Sequence, residues 1–120
     1  MRDYQVYLED IINSMTRIEE YTSGMTFDQF VDDQKTIDAV DRSLEIIGEA
    51  TKHIPEKIRN EYPEVPWKDM AAMRDKLIHG YFGVNLEVVW KTIKERLPTE
   101  KPLIVKALAK MDEKAKKEKE

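Results

Sequence analysis

The amino-acid sequence predicts an all-α fold: an up-and-down helical bundle, with a long antiparallel helix hairpin joined by shorter helices. Three observations predict it. Apolar residues recur at three- and four-residue steps along most of the chain. The composition is 41% hydrophobic and 37% charged, which suits amphipathic helices with charged outer faces. Only four glycines and five prolines interrupt the 120 residues, and β-branched runs are few, which disfavours a β-rich fold.

The first expected helix spans 3–22, with Tyr4, Tyr7, Leu8, Ile11, Met15 and Ile18 on one face and an end near Ser23-Gly24. Thr26 is the expected N-cap of the second, with Gln29 as its capping-box partner. Its apolar series runs Phe27, Phe30, Ile37, Val40, Leu44, Ile47 and Ile54, like a coiled-coil seam with Gln34 and Thr51 at the gaps. The short link between these helices predicts the antiparallel hairpin. Pro55 ends the second helix or opens a short third one, PEKIRNEY. Pro66 then opens a helix from about Trp67 to His79, with Gly80 as its stop. Asn85 caps the next, through Leu86, Val89, Trp90, Ile93 and Leu97. Pro98 and Pro102 are expected to separate a last helix carrying Leu103, Ile104, Ala107, Leu108 and Met111. Residues 1–112 are expected to form one domain, and 113–120 a charged tail.

Composition also limits function. The absence of cysteine excludes disulfides, cysteine nucleophiles and thiolate metal sites. The start, MRDYQVYLED, has acids where a secretory signal needs apolar residues, and no apolar run is long enough to span a membrane, so a cytoplasmic location is expected. The net charge of -4 argues against a general nucleic-acid coat, yet allows a nuclease with a small local basic site.

The informative stretch is MRDKLIHGYFGVN, residues 73–85. Arg74 and His79 lie five apart near a helix end, so their long and terminal side chains can approach one region despite a rotation of about 140°. Asp75 and His79, four apart, share a face, where the acid can accept from the imidazole and fix its tautomer. Arg grips phosphate with a planar fork, His exchanges protons near neutral pH, and RNA carries its own 2′-hydroxyl nucleophile. Such a set can cleave RNA without a metal, in keeping with the lack of an obvious ligand cluster in the sequence. On spacing alone the bland reading also stands: Arg74 pairing with an acid, and His79 favoured by the helix dipole.

The surrounding text carries more. Arg74, four residues, His79, Gly80 and Tyr81 resemble the R-x-x-x-x-H-x-Y motif of the HepT-like branch of the HEPN superfamily. DRSLEIIGEA at 41–50 is similar to that family's second-helix block, and 62–98 to its core block; the resemblance covers about 3–110. It implies an α-helical homodimer in which two motifs face each other as one composite ribonuclease site. It implies a toxin of a type II toxin–antitoxin pair, whose partner is a small nucleotidyltransferase antitoxin of the MNT type. That partner transfers AMP from ATP to the motif tyrosine. Carried over, Arg74 and His79 are catalytic, Tyr81 accepts AMP, and Asp75 holds the polar position that often follows the arginine. No cofactor is implied. AMP on Tyr81 would add bulk and negative charge where RNA phosphate must dock. The residues alone favour Tyr81 as a core-edge aromatic beside Phe82.

Other positions have two readings each. Glu45 and Glu49 could hold the Arg74 fork or form a solvated acidic face. His53 suits a surface role, and Trp67 and Trp90 suit core packing better than base stacking. Lys52, Lys57, Arg59, Lys68 and Lys76 could guide phosphate around the motif, as could Lys91, Lys94 and Arg96, or all could be ordinary surface residues. Two further functions compete with the ribonuclease: a non-catalytic accessory subunit of a nucleotidyltransferase, and a structural helical dimer.

Overall fold

The computed structural model describes the backbone of residues 4–79 and 85–119, and their side chains except those of 74–79 and 119. Among the described residues all regular structure is helical, as the sequence predicts.

Helix α1 (Gln5–Thr22) buries Leu8, Ile11, Met15 and Ile18 completely. It stops where Gly24 takes φ +75°, a left-handed conformation that a Cβ would disfavour. Helix α2 (Phe27–Val31) begins with the expected capping box: Thr26 N donates to Gln29 Oε1 at 2.9 Å, and Gln29 N donates to Thr26 Oγ1 at 3.2 Å.

The long second helix of the sequence reading is two helices. α2 closes at Asp32, and α3 (Gln34–Lys52) starts afresh. Asp33 causes the break. Its carboxylate accepts from Thr36 N at 3.1 Å and from Thr36 Oγ1 at 2.8 Å, so it serves as an N-cap rather than a helix interior residue. Phe30 and Ile37 remain seven residues apart, and both stay on the core side across the break.

Short α4 (Glu56–Glu61) follows Pro55, its N-cap. Arg59 ties it to the end of α3: Nε donates to Ile54 O at 2.9 Å and an Nη to Thr51 O at 3.0 Å. Helix α5 (Trp67–His79) has the predicted bounds. Its first residue is buried and anchored, with Trp67 Nε1 donating to Tyr62 O at 3.0 Å.

Asn85 caps α6 (Leu86–Lys91) as predicted, its side chain accepting from Glu87 N and Val88 N. The expected separation at Pro98 and Pro102 does not occur. A π-helical turn (Thr92–Arg96) joins α6 to α7 (Leu97–Lys119), which carries both prolines. Proline lacks the amide donor, and its ring crowds the carbonyl four residues back. The wider turn just before Pro98 relieves this locally, with Leu97 N reaching back five residues to Thr92 O. Thr99 Oγ1 donates to Glu95 O at 3.0 Å, satisfying a carbonyl of the disturbed turn.

Helix α3 is central, with α1 along one side and α5 along the other; α7 lies against α1, and α2 touches α3 and α6. The α1–α3 packing matches the expected hairpin, with α3 in place of the longer helix. The inward stripe of α7 is Leu97, Glu100, Ile104, Ala107 and Met111. Lys101 Nζ meets Glu19 of α1 at 3.1 Å. The long α7 helps make the molecule elongated, 53 × 28 × 21 Å. Its radius of gyration of 15.3 Å exceeds the value of about 13.6 Å expected for a compact chain of this length.

Candidate functional site

The predicted catalytic positions Arg74, Asp75 and His79 fall in the last half of α5. The structure gives their backbone; their side chains, and the expected hydrogen bond between Asp75 and His79, lie outside the described residues. So do Gly80, Tyr81 and Phe82.

The placement of α5 follows from its anchors. Arg59 fixes α4 to the C-terminal end of α3, and Trp67 fixes the start of α5 to the end of α4. From there α5 packs extensively along α3. Thirteen residues at about 1.5 Å each carry its far end roughly 18 Å, back towards the first half of α3. Along α3 lie the acids Asp38, Asp41, Glu45 and Glu49.

These acids differ in environment. Asp38 accepts from Gln34 Nε2 at 2.8 Å. Glu45 pairs with Arg42 at 3.3 Å, and its expected support of the Arg74 fork concerns a side chain outside the described residues. Glu49 lies 3.9 Å from His53 Nε2, and the His53 ring stacks on Tyr7 at 4.8 Å and 10°. Asp41 stands apart. Its Oδ1 is shielded from solvent and has no hydrogen-bond partner. Burial pushes its carboxyl above the usual aspartate range, and the nearby charges of Asp38 and Glu45 push the same way. Sequence reasoning passed over Asp41, because spacing shows neither burial nor a missing partner.

A groove of about 350 Å³ runs between α1 and α3, walled by Tyr7, Asp10, Arg42, Glu45, Glu49 and His53. Its three acids oppose phosphate, so RNA cannot be held there by charge alone. A larger hollow of about 450 Å³ involves the start of α1, α4 and the last turns of α7, and among the described residues none of α5 lines it. The motif helix rather than this hollow is the place to seek chemistry. Among the described residues no group of three or more His, Asp or Glu is arranged to hold a metal.

Several cations proposed as a phosphate rim have other partners. Arg59 is committed to the carbonyls that end α3. Lys94 lies over the Trp90 ring at 4.7 Å. Arg96 binds Glu100 at 3.1 Å. Both tryptophans pack as expected: Trp67 is buried, and Trp90 sits against Phe30 at 5.1 Å and Phe27 at 6.1 Å. Among the described residues no helix is long and apolar enough to cross a membrane.

Comparison with known proteins adds the family. Residues 11–107 match the model of the family described as Ribonuclease HepT-like. A probable ribonuclease HepT of Thermococcus cleftensis is 53% identical over 98 residues, covering 82% of this chain and 89% of its own. Two proteins of Methanocaldococcus jannaschii, each described provisionally as an RNase, are also similar. One is 50% identical over 99 residues, covering 82% of both chains. The other is 43% identical over 113 residues, covering 94% of this chain and 97% of its own. No solved structure matches significantly. The matched span contains Arg74, His79 and Tyr81 together with the α1–α3–α5 framework, and the chain belongs to the HepT-like ribonuclease family.

Proposed function

We propose that this chain is a metal-independent endoribonuclease, the toxin of a type II toxin–antitoxin pair, with Arg74 and His79 as its catalytic residues. The observation that carries the reading is the match to a ribonuclease family across 11–107, a span that includes the whole Arg–His–Tyr motif. The relatives that describe themselves as ribonucleases cover most of this chain and most of their own length, which supports the same chemistry.

In this reading Arg74 grips the scissile phosphate. The neutral imidazole of one His79 removes the proton of the RNA 2′-hydroxyl, and that oxygen attacks the adjacent phosphorus. The 5′-oxygen leaves with a proton from a second imidazole, and a 2′,3′-cyclic phosphate remains. Two histidines come from two protomers of a homodimer. Their mutual repulsion, with two arginines close by, favours a neutral base in one copy. Asp75 orients the imidazole. RNA is the substrate, and the setting is cytoplasmic.

Control falls to Tyr81. A nucleotidyltransferase antitoxin presents ATP; the tyrosine oxygen attacks the α-phosphorus, its proton is lost, and pyrophosphate leaves. The tyrosyl-AMP then places negative charge in the path of the RNA backbone. The domain responsible is residues 1–112, with 113–120 as a charged extension.

The test is cleavage of RNA by purified wild type, Arg74→Ala and His79→Ala in the presence of chelator. Wild type should cleave, and both variants should lose about 100-fold or more in rate while keeping their helical signal. Undiminished cleavage by both variants would sink the assignment. Sedimentation should give a dimer; a monomer that still cleaves would refute the shared site.

A further inference from the structure

We propose that a lysine stripe on α7, built on Lys106 and Lys110, is a docking track for the phosphate backbone of single-stranded RNA. The inference rests on the ribonuclease reading given above and adds a binding surface on a different element from the motif helix.

Charge is divided unevenly along the chain. Residues 101–120 hold seven lysines and four acids, a net of +3, whereas residues 1–100 carry a net of -7. The total of -4 therefore conceals a basic C-terminal segment on an acidic body. Charges are screened beyond about 8 Å at physiological salt, so an approaching strand responds to the local face rather than to the total.

The lysines gather on one side of the helix. Lys106, Lys110 and Lys114 follow at four-residue steps, and Lys117 comes three later. With 3.6 residues to a turn, these four lie within about 80° of one another, and the stripe runs about 16 Å along the axis. The buried Ile104 and Met111 lie on another side, about 100° or more from its middle.

These cations are available. Lys106 and Lys110 are exposed, and among the described residues neither has an ion pair. Lys114 meets Glu61 of α4 at 3.6 Å, and Lys117 meets Glu113, the acid that shares the stripe, at 3.9 Å; both lysines are well exposed. Such surface pairs are weak, and a phosphate can take the place of the carboxylate. Arg59, Lys94, Arg96 and Lys101, in contrast, are held by carbonyls, by a ring or by an acid.

The length of α7 calls for the same explanation. Beyond Met111 none of its described residues is buried, yet the helix continues for about two more turns to Lys119. Core packing does not account for these turns. They extend a solvated, positively charged arm. Lysine holds phosphate as a point charge on a flexible stem, and backbone contacts of this kind position a strand without reading its bases. The track raises affinity for RNA and leaves the choice and cleavage of the bond to the motif.

The experiment measures binding of a labelled, 2′-O-methylated single strand, which lacks the attacking hydroxyl and stays intact. Full-length wild type is compared with Lys106→Gln/Lys110→Gln and with a control of equal charge loss off the stripe, Lys35→Gln/Lys116→Gln, over a range of salt. The stripe variant should bind about 10-fold more weakly, and its slope of log K against log salt should be shallower by about 1.4. The control should stay close to wild type. On cleavable RNA the stripe variant should raise KM about 10-fold and leave kcat within about twofold. Wild-type affinity and slope in the stripe variant would overturn the proposal. So would an equal loss in the control, which is the signature of total charge alone, or a wild type that binds no RNA. If the stripe variant instead loses only adsorption to vesicles of anionic lipid, the track serves a membrane surface and the RNA proposal falls. A wild type that binds through the stripe but never cuts leaves the track standing and removes the cleavage reading; one that cuts while the stripe variant binds equally well does the reverse.

Discussion

Replacing Arg96 by alanine strands the Glu100 carboxylate. Glu100 is only 5% exposed and occupies a core-facing place on α7 between Leu97 and Ile104. One of its oxygens meets the Arg96 guanidinium at 3.1 Å; the other is buried with no partner. Burial pushes its carboxyl above the usual glutamate range, Arg96 pulls it back, and Asp69 at the start of α5 pushes it up again. A hydrogen bond between charged groups contributes about 1.5–3 kcal/mol. Arg96 is 35% exposed, so water recovers part of that, leaving a cost of about 1–2 kcal/mol at neutral pH for Arg96→Ala. An unfolding entropy of about 2.1 cal/mol/K per residue converts this to a fall in Tm of about 4–8 °C.

The cost should depend on pH. Glu100 is an acid whose folded-state pKa is raised, so its neutral form is favoured by folding. That contribution is fully present below the unfolded pKa and is lost as pH rises through the folded one. Removing Arg96 raises the folded value further. The penalty is therefore largest at neutral pH and shrinks as pH falls into the carboxylate range. Thermal unfolding by circular dichroism at about pH 4.5 and about pH 8 measures it. In a Glu100→Gln background the pH-dependent part should vanish. An Arg96→Ala penalty equal at both pH values, or one whose pH dependence survives Glu100→Gln, would refute the reasoning.

Two more substitutions test the frame around the site. Phe30→Ala opens a hole in a completely buried position against Trp90, and should cost about 3–5 kcal/mol and shift the tryptophan emission; an unchanged spectrum would contradict the packing. Arg59→Ala should lose about 1–2 kcal/mol through the freed carbonyls of Thr51 and Ile54 yet bind RNA as wild type does, whereas weaker RNA binding at unchanged Tm would return Arg59 to the phosphate rim.

Much of this was legible because it is local. The periodicity of Leu8, Ile11, Met15 and Ile18 and the caps at Thr26 and Asn85 are short-range signals, and the structure follows them. The break at Asp33 was hidden by its own neatness: a seven-residue step from Phe30 to Ile37 looks like one uninterrupted face. Thr36, three residues after Asp33, was the available clue. Pro98 and Pro102 misled in the opposite way. The proline rule concerns an α-helical hydrogen bond; one π turn relieves the conflict at Pro98, and the helix carries Pro102 in its interior without ending. For the site, the motif letters were plain, while Glu45 and Glu49 drew attention by their spacing. Asp41 could not be found that way, since shielding from water arises only when α3 meets its neighbours.

The side-by-side packing of α1 and α7 has a consequence for the chain as it is made. The ribosome makes α1, α3 and the motif helix before α7, and the side of α1 that faces α7 stays uncovered until α7 has emerged. Nascent domains assemble from the N-terminus as their parts appear. The bundle thus closes late, after its Arg–His segment is already outside, and a stalled or truncated translation product would expose the α7-facing side of α1 as a sticky apolar strip for proteases and chaperones.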